Sequence, residues 1–285
     1  MTVTVRVNAR YCVIGNPIAH SKSPTIHAAF ALQTGQDIVY ERCLAPVDGF
    51  AATVRQLVAS GYSGANVTLP FKLEAAALAV TLSERARAAG AVNTLSFTSA
   101  GIVGDNTDGA GLVNDIVRNA GVAIAGRRVL LVGAGGAARG AILPLLQHGP
   151  RQLVIANRTA ATAQALALAF GATAAHPPGA HGVPVAACTF ATLDGRFDIV
   201  INATSASLAG DLPPLPPTVF GAGTLALDMM YCADPTPFMR FAALHGATTR
   251  DGLGMLVEQA AEAFLVWRGV RPQTGALLAA LRAAA

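Results

Sequence analysis

The stretch Val129-Leu-Leu-Val-Gly133-Ala-Gly135-Gly136-Ala-Ala138-Arg-Gly140, followed by Leu153-Val-Ile-Ala-Asn157-Arg158-Thr159, decides the fold. Uninterrupted apolar residues run into a glycine turn and then a helix-forming segment, the pattern of a buried strand, a tight turn and a helix. Glycines at such a turn let the backbone approach a pyrophosphate, and the amides and dipole of the next helix favour the anion. The second half reports on the sugar. Sheets that bind NAD usually end the next strand in Asp or Glu, which holds the ribose 2′-hydroxyl. Here the chain offers Asn157-Arg158-Thr159, a cation with hydrogen-bonding neighbours, which suits a 2′-phosphate. The expected cofactor is NADP. A glycine fingerprint by itself is weak, but this one sits in the strand–turn–helix–strand context it requires.

Bulk properties bound the rest. A chain of 285 residues suits two domains of ordinary size, and 53% hydrophobic residues supply ample core. Only 13% of residues are charged, which leaves little to cover broad solvated faces and hints at surface buried in a cleft or a homodimer. The net charge of +4 is modest and there is no lysine-rich tract, so nucleic acid is not an expected partner. Cys12, Cys43, Cys188 and Cys232 are widely spaced with no C-x-x-C pair, and no signal peptide is seen; the expected location is the cytoplasm, with reduced thiols. No run of about 20 apolar residues exists to span a membrane. The apolar segments 75–80 and 163–170 read as core.

Along the chain, strands and helices alternate. Residues 11–15 read as a buried strand and 24–34 as a helix, with Ser23 as N-cap and Pro24 at the first position. A strand at 38–40 and a helix over 47–60 come next, then a strand at 64–68 broken by Pro70. Residues 91–97 and 101–105 read as a hairpin-like pair, and 109–120 as a connecting helix. Further strands are expected at 198–202 and 225–228, and proline- or glycine-rich loops at 176–184 and 213–217. Residues 252–267 carry apolar side chains at helical spacing, one buried stripe with Gln259 on its flank. The fold class is α/β: an N-terminal substrate domain of residues 1–108 and 252–285, and a Rossmann-type dinucleotide domain of residues 109–251.

Four polar clusters stand at loop positions. In His20-Ser21-Lys22-Ser23-Pro24, two hydroxyls at a helix start suit a carboxylate, although Ser23 also fits an ordinary N-cap. In Asn66-Val-Thr68-Leu-Pro-Phe-Lys72, a lysine follows a proline-broken strand end, a candidate active-site cation or a surface lysine. Asn93 lies at a strand start, and Asp105-Asn-Thr-Asp108 precedes the connecting helix, where Asp108 also fits a cap. Clefts between domains are favoured ligand sites. The six histidines make no ligand set with cysteines or acids, and no metal is expected. No serine lies on a G-x-S-x-G elbow.

At these clusters the sequence resembles the shikimate dehydrogenase family. The resemblance is carried by Gly15-Asn-Pro-Ile-Ala-His-Ser-Lys-Ser-Pro24, Gly64-Ala-Asn-Val-Thr-Leu-Pro-Phe-Lys72, Ala89-Gly-Ala-Val-Asn-Thr94 and Gly104-Asp-Asn-Thr-Asp-Gly109. The glycine loop, Asn157-Arg-Thr159, Asn202-Ala-Thr-Ser205 and Asp251-Gly-Leu-Gly-Met-Leu-Val-Glu-Gln259 complete it, in order from end to end. It implies Lys72 and Asp108 as the catalytic pair, and Ser21, Ser23, Thr68, Asn93, Tyr231 and Gln259 as substrate contacts. It also implies that Gly133, Ala134, Gly135, Gly136, Ala137, Asn157, Arg158, Thr159, Thr204, Met229 and Gly252 line NADP. Its C-terminal helices are expected to return to the first domain.

Three positions depart from that pattern: Thr162 stands where a second arginine is common, Ser207 where a glycine is common, and Glu262 where a histidine is common. The expected activity is reversible reduction of 3-dehydroshikimate to shikimate by NADPH, with Lys72 as general acid and Asp108 orienting it. A quinate/shikimate dehydrogenase using NAD is the alternative in the same chemistry; a non-catalytic NADP-binding sensor is the alternative in another class.

Overall fold

The computed structural model describes residues 8–171 and 182–284. Two runs of alternating strands and helices build two separate six-stranded sheets. Backbone packing divides the chain into one unit of Met1–Thr107 and Gln259–Leu281 and a second of Asp108–Glu258 and Arg282–Ala285.

In the first unit, β1 (Ala9–Gly15), β2 (Ile38–Leu44), β3 (Gly64–Val67), β4 (Thr81–Leu82), β5 (Thr94–Thr98) and β6 (Gly101–Asp105) are arranged in the order β2-β1-β3-β5-β6-β4. Strands β2, β1 and β3 run parallel; β5 runs antiparallel to β3 and β6, and β4 parallel to β6. The helices are α1 (Ser23–Thr34), α2 (Phe50–Ala59), α3 (Lys72–Leu78) and α4 (Glu84–Ala89). Apolar residues of β1 and β3, such as Cys12, Ile14 and Val67, form one core with Phe50, Val54 and Phe71. The Phe50 and Phe71 rings stack at 4.9 Å, fixing α2 against the turn that leads into Lys72.

The second sheet is wholly parallel, as the fingerprint predicts. It comprises β7 (Arg128–Val132), β8 (Gln152–Ala156), β9 (Val185–Cys188), β10 (Ile199–Asn202), β11 (Leu225–Asp228) and β12 (Thr248–Arg250), in the order β12-β11-β10-β7-β8-β9. Strands β10 and β11 are buried along their whole length, and β7 and β8 all but their first residue, as expected for a parallel sheet. Its helices are α5 (Asp108–Asn114), α6 (Gly136–Gln147), α7 (Ala160–Gly171) and α8 (Pro237–Leu244). A side chain on Gly109 would strike the Gly140 carbonyl, so glycine is what lets α5 and α6 lie this close. Two last helices, α9 (Leu253–Arg268) and α10 (Gly275–Ala283), end the chain, and residues from Gln259 to Leu281 belong to the first unit.

Several expectations are corrected. Ser23 is not an N-cap: Lys22 holds that place without a side-chain bond, Ser23 is already helical and buried, and its own N–H donates to Ser21 Oγ at 3.3 Å. The connecting helix is not regular to its end. After Asn114 it widens into a π-turn over Asp115–Asn119, closed by Ala120 N–H donating to the Asp115 carbonyl at 2.9 Å. The fully buried Asp115 carboxylate there accepts from Arg250 at 2.7 and 3.2 Å, and Gly254 leaves the room it occupies. Helix α9 is buried on more than one stripe, with Glu258 and Gln259 inside as well as Val257 and Phe264. The apolar runs at 75–80 and 163–170 are only partly core, since Val80 and Leu168 are exposed. Helix α2 starts at Phe50 and β5 at Thr94, both later than expected, while β4 and α4 were not anticipated. Most of the loop expected at 176–184, including His176 and His181, lies outside the described residues.

One buried histidine sets a pH dependence. His27, on α1, is fully buried, stacks on Tyr40 at 4.1 Å and lies near Phe264 and Trp267. Burial pushes its pKa from 6.5 down to about 3, the neighbouring Asn66 opposing the shift only in part. The unfolded chain therefore takes up a proton near pH 6.5 that the folded chain refuses until about pH 3, so stability is full above that window and falls as the pH drops into it. By about pH 5 the loss is roughly 2 kcal/mol. Urea unfolding at about pH 7.5 and about pH 5 checks this: His27→Phe should lose that much less stability than the parent between the two.

Candidate active site

The first unit assembles a buried polar network at the ends of its central strands. Asn66 is a polar residue inside an otherwise apolar strand, and both of its ends are engaged. Its Nδ2 donates to the Asn93 carbonyl and to Thr94 Oγ1, each at 3.1 Å, while its Oδ1 accepts from the Tyr40 hydroxyl at 2.7 Å. Ser23 sits beside that hydroxyl, and burial raises the Tyr40 pKa well above its usual value, so the phenol stays protonated. On the other side, Asn93 Nδ2 donates to Thr107 Oγ1 at 2.9 Å and to Gln259 Oε1 at 3.1 Å, and Asn93 Oδ1 accepts from Thr107 N–H at 2.8 Å. Asn93 and Gln259, 166 residues apart in sequence, thus meet directly. Such hydroxyls and amides on a fixed frame are suited to a small polyhydroxylated ligand.

The turn carrying Thr68 and Lys72 is held from both sides. Asn16 N–H donates to the Leu69 carbonyl at 3.1 Å, Phe71 N–H to the Thr68 carbonyl at 3.0 Å, and Val92 N–H to the Lys72 carbonyl at 2.9 Å. The Asn16–Pro17 and Leu69–Pro70 peptides are both cis. Lys72, half-buried, therefore opens α3 with its backbone tied next to Asn93. Ser21 lies two residues before Ser23, its carbonyl accepting from Arg42 at 2.6 and 3.1 Å.

Glu262 carries no loose charge. Arg85 donates to it at 2.9 Å and Arg271 at 2.8 Å, and Arg85 also forks onto Asp105 at two distances of 2.7 Å. Burial alone would raise the Asp105 pKa, but Arg85, Ser83 and the Asn106 amide hold it below the ordinary carboxylate range. The network anchors the end of β6, from which Asn106, Thr107 and Asp108 continue. Asp108 is buried in the first turn of α5, which the backbone division assigns to the second unit, as it does half-buried Tyr231.

The second unit forms the dinucleotide cradle. Gly133, at φ +109°, takes a conformation L side chains rarely adopt, and the Ala203 carbonyl and Thr204 methyl crowd the place where a side chain would stand. Gly135 and Gly136 have open space where a side chain would stand, at the N-terminus of α6, and Ala134 and Ala137 flank them. This is the shape a pyrophosphate needs. At the end of β8, Asn157 Nδ2 donates to the Thr159 carbonyl at 3.1 Å, and Arg158 and Thr159 are exposed beyond it. Glycine turn, helix and exposed guanidinium fit NADP. Thr204 donates from its hydroxyl to Asn202 Oδ1 at 2.7 Å, and Gly252 packs on the Met229 carbonyl with no room for a side chain. Asn66 and Thr107 lie inside the polar clusters read from sequence but without an assigned role, and Tyr40 lies outside them; the available signal was Asn66, polar within a buried strand. Among the described residues no group of three His, Cys, Asp or Glu side chains is placed to hold a metal, and no helix is long and apolar enough to cross a membrane.

A wholly parallel sheet with a glycine-turned helix, together with a second α/β unit that holds a buried polar network, defines a two-unit dinucleotide-binding α/β protein. The chain belongs to the shikimate dehydrogenase family. Three family models match it in order: the shikimate dehydrogenase substrate binding domain over residues 13–95, shikimate/quinate 5-dehydrogenase over 115–209, and the shikimate 5′-dehydrogenase C-terminal domain over 252–282. It is 66% identical to the shikimate dehydrogenase (NADP(+)) of Herminiimonas arsenicoxydans, over 96% of this chain and 97% of that one. Identity to the shikimate dehydrogenase (NADP(+)) of Dechloromonas aromatica is 58%, over 96% and 97%. Among solved structures, an Ael1 enzyme from Pseudomonas putida superposes with a TM-score of 0.89 at 49% identity, covering 96% of this chain and 98% of that one. Shikimate 5-dehydrogenase from Thermus thermophilus, in complex with NADP(H) and shikimate, gives 0.83 at 31% identity, covering 97% and 100%.

Proposed function

We propose that this chain catalyses the reversible NADPH-linked reduction of 3-dehydroshikimate to shikimate. The observation that carries the reading is the Asn93–Thr107–Gln259 network on the first unit, in a chain whose second unit has a glycine turn with open space at the start of α6. The family and the names of its relatives support it. In this reading residues 1–108 and 252–285 serve the substrate and residues 109–251 the cofactor.

The bound cofactor supplies the hydride. The chain supplies binding, orientation and a proton. Asn93 and Gln259 are pre-set by their mutual hydrogen bonds to meet ring hydroxyls, with Thr68 and Tyr231 completing the set. Ser21 and Ser23 bind the substrate carboxylate. Lys72 donates the proton to the oxygen of the reduced carbonyl and takes it back in the oxidation, and Asp108 orients Lys72 and the adjacent hydroxyl. The four thiols are all free, in keeping with the reducing cytoplasm where we place the enzyme. A homodimer, which the low charge fraction permits, is part of the same reading.

An assay of the four pairings of shikimate or quinate with NADP or NAD tests the function. Shikimate with NADP is expected to give the highest kcat/KM. A preference for quinate with NAD would assign the chain to the quinate/shikimate alternative, and no turnover in any pairing would leave a sensor.

A further inference from the structure

We infer that Asp228 and Ser207 act as a positioning clamp for the half of the dinucleotide that carries the nicotinamide. The inference rests on the proposed reading of the glycine turn as an NADP cradle. Its geometry starts from strand order. Strand β7, which feeds the glycine turn, lies between β8, which ends in Asn157-Arg158-Thr159, and β10. All these strands are parallel, so their carboxyl ends share one edge of the sheet. A dinucleotide with its pyrophosphate on the turn and its 2′-phosphate on Arg158 must lay its other half over the ends of β10 and β11.

Those two ends are tied together by one carboxylate. Asn202 and Asp228, the last residues of β10 and β11, face each other in register, and both are fully buried. Asp228 Oδ2 accepts from Ser207 Oγ at 2.6 Å, Thr236 Oγ1 at 2.7 Å and Asn202 Nδ2 at 3.2 Å; Oδ1 accepts from the Met230 amide at 3.0 Å. Hydrogen bonds to a buried charge are the strong kind, and four of them converge on this one. Through Asn202 the hold extends further: its Oδ1 accepts from the Thr204 hydroxyl at 2.7 Å and amide at 3.2 Å, and its carbonyl from Met229 N–H at 3.0 Å. The loop after β10 and the loop after β11 therefore hang on the same group. Thr204 and Met229, one on each loop, are the residues proposed to line the cofactor.

Ser207 makes the shortest of these bonds, through a hydroxyl that can be removed without touching the carboxylate. Gly252 adds a third tie, its N–H donating to the Met230 carbonyl at 2.9 Å. None of these groups stands on the β8 side of the glycine turn, where the 2′-phosphate is read. Loosening the clamp should weaken NADPH and NADH by the same factor, whereas loss of a group that reads the 2′-phosphate should weaken NADPH alone.

Direct titration of NADPH and NADH by nicotinamide fluorescence, with no substrate and no turnover, tests this. Ser207→Ala is expected to raise both dissociation constants by a similar factor, about three- to tenfold, a part of what one charge-assisted hydrogen bond is worth. Ser207→Thr, which keeps the hydroxyl, should restore them. Asp228→Asn should cost more, since its amide would point donors at donors; Ser207→Ala carries the test if that variant does not fold. Weakening of NADPH alone, or a lowered melting temperature with both affinities unchanged, would overturn the clamp. Arg158→Ala separates the two layers. If it weakens NADPH while Ser207→Ala changes neither cofactor, the clamp fails and the cradle stands; if neither variant changes NADPH binding, the cradle reading fails.

Discussion

Lys72→Met is expected to lower kcat by about 10²–10⁴-fold in both directions, the usual contribution of a positioned acid or base, with the NADPH dissociation constant unchanged. The substitution is chosen for shape. Methionine keeps an unbranched apolar stem of similar reach and removes only the ammonium, so the half-buried packing at the start of α3 is retained. The backbone there is fixed independently of the side chain, by the Phe71–Thr68 and Val92–Lys72 hydrogen bonds. Loss of rate is therefore loss of the proton donor and not of the turn. Lys72→Arg supplies a second readout: a guanidinium keeps the positive charge but does not release its proton, so charge without proton transfer should leave kcat low. Steady-state rates with 3-dehydroshikimate and with shikimate decide the matter. A near-parental kcat with a raised KM for substrate would make Lys72 a binding residue and remove it from the chemistry.

The four central strands of the parallel second sheet were legible because they are buried on both faces and read as apolar runs, and because the glycine turn dictates a helix directly after β7; the less buried edge strands β9 and β12 carry no such signal. The π-turn at Asp115–Asn119 was not: it is set by a buried acid whose partner, Arg250, comes from 135 residues away. The site divides in the same manner. Ser21, Ser23, Thr68, Lys72, Asn93 and Asp108 lie in short motifs where several polar residues crowd at a strand end or helix start. Tyr40 gives no such sign, since a tyrosine in a strand reads as packing until Asn66 is placed across from it. The pairing of Glu262 was not readable either, because Arg85 lies 177 residues away in sequence. Local features of the chain were readable, and those that depend on side chains meeting across strands and helices were not.

Arg158→Ala is expected to raise the KM for NADP by about tenfold or more while that for NAD moves less than about twofold. The asymmetry arises from the parts the two cofactors share. On the proposed reading the pyrophosphate of either cofactor would sit on the glycine turn and α6, and only the 2′-phosphate of NADP would meet the guanidinium. Arg158 is exposed, and Asn157 is occupied in holding the Thr159 carbonyl, so on that reading the arginine is the cation offered to the phosphate. Exposure has two consequences. Its attraction is screened by salt, so the KM for NADP should rise with ionic strength more steeply than that for NAD, and this difference should vanish in Arg158→Ala. Discrimination should also be improvable. Thr162 lies exposed at the third residue of α7, four residues beyond Arg158. Thr162→Arg is therefore expected to lower the KM for NADP several-fold with no gain for NAD, since a second guanidinium adds a bidentate partner for phosphate and nothing for a ribose hydroxyl. Initial rates with both cofactors at two salt concentrations check all of this. An equal rise of both KM values in Arg158→Ala would show that the arginine supports the loop and does not read the phosphate, and the preference for NADP would then have to come from elsewhere in the cradle.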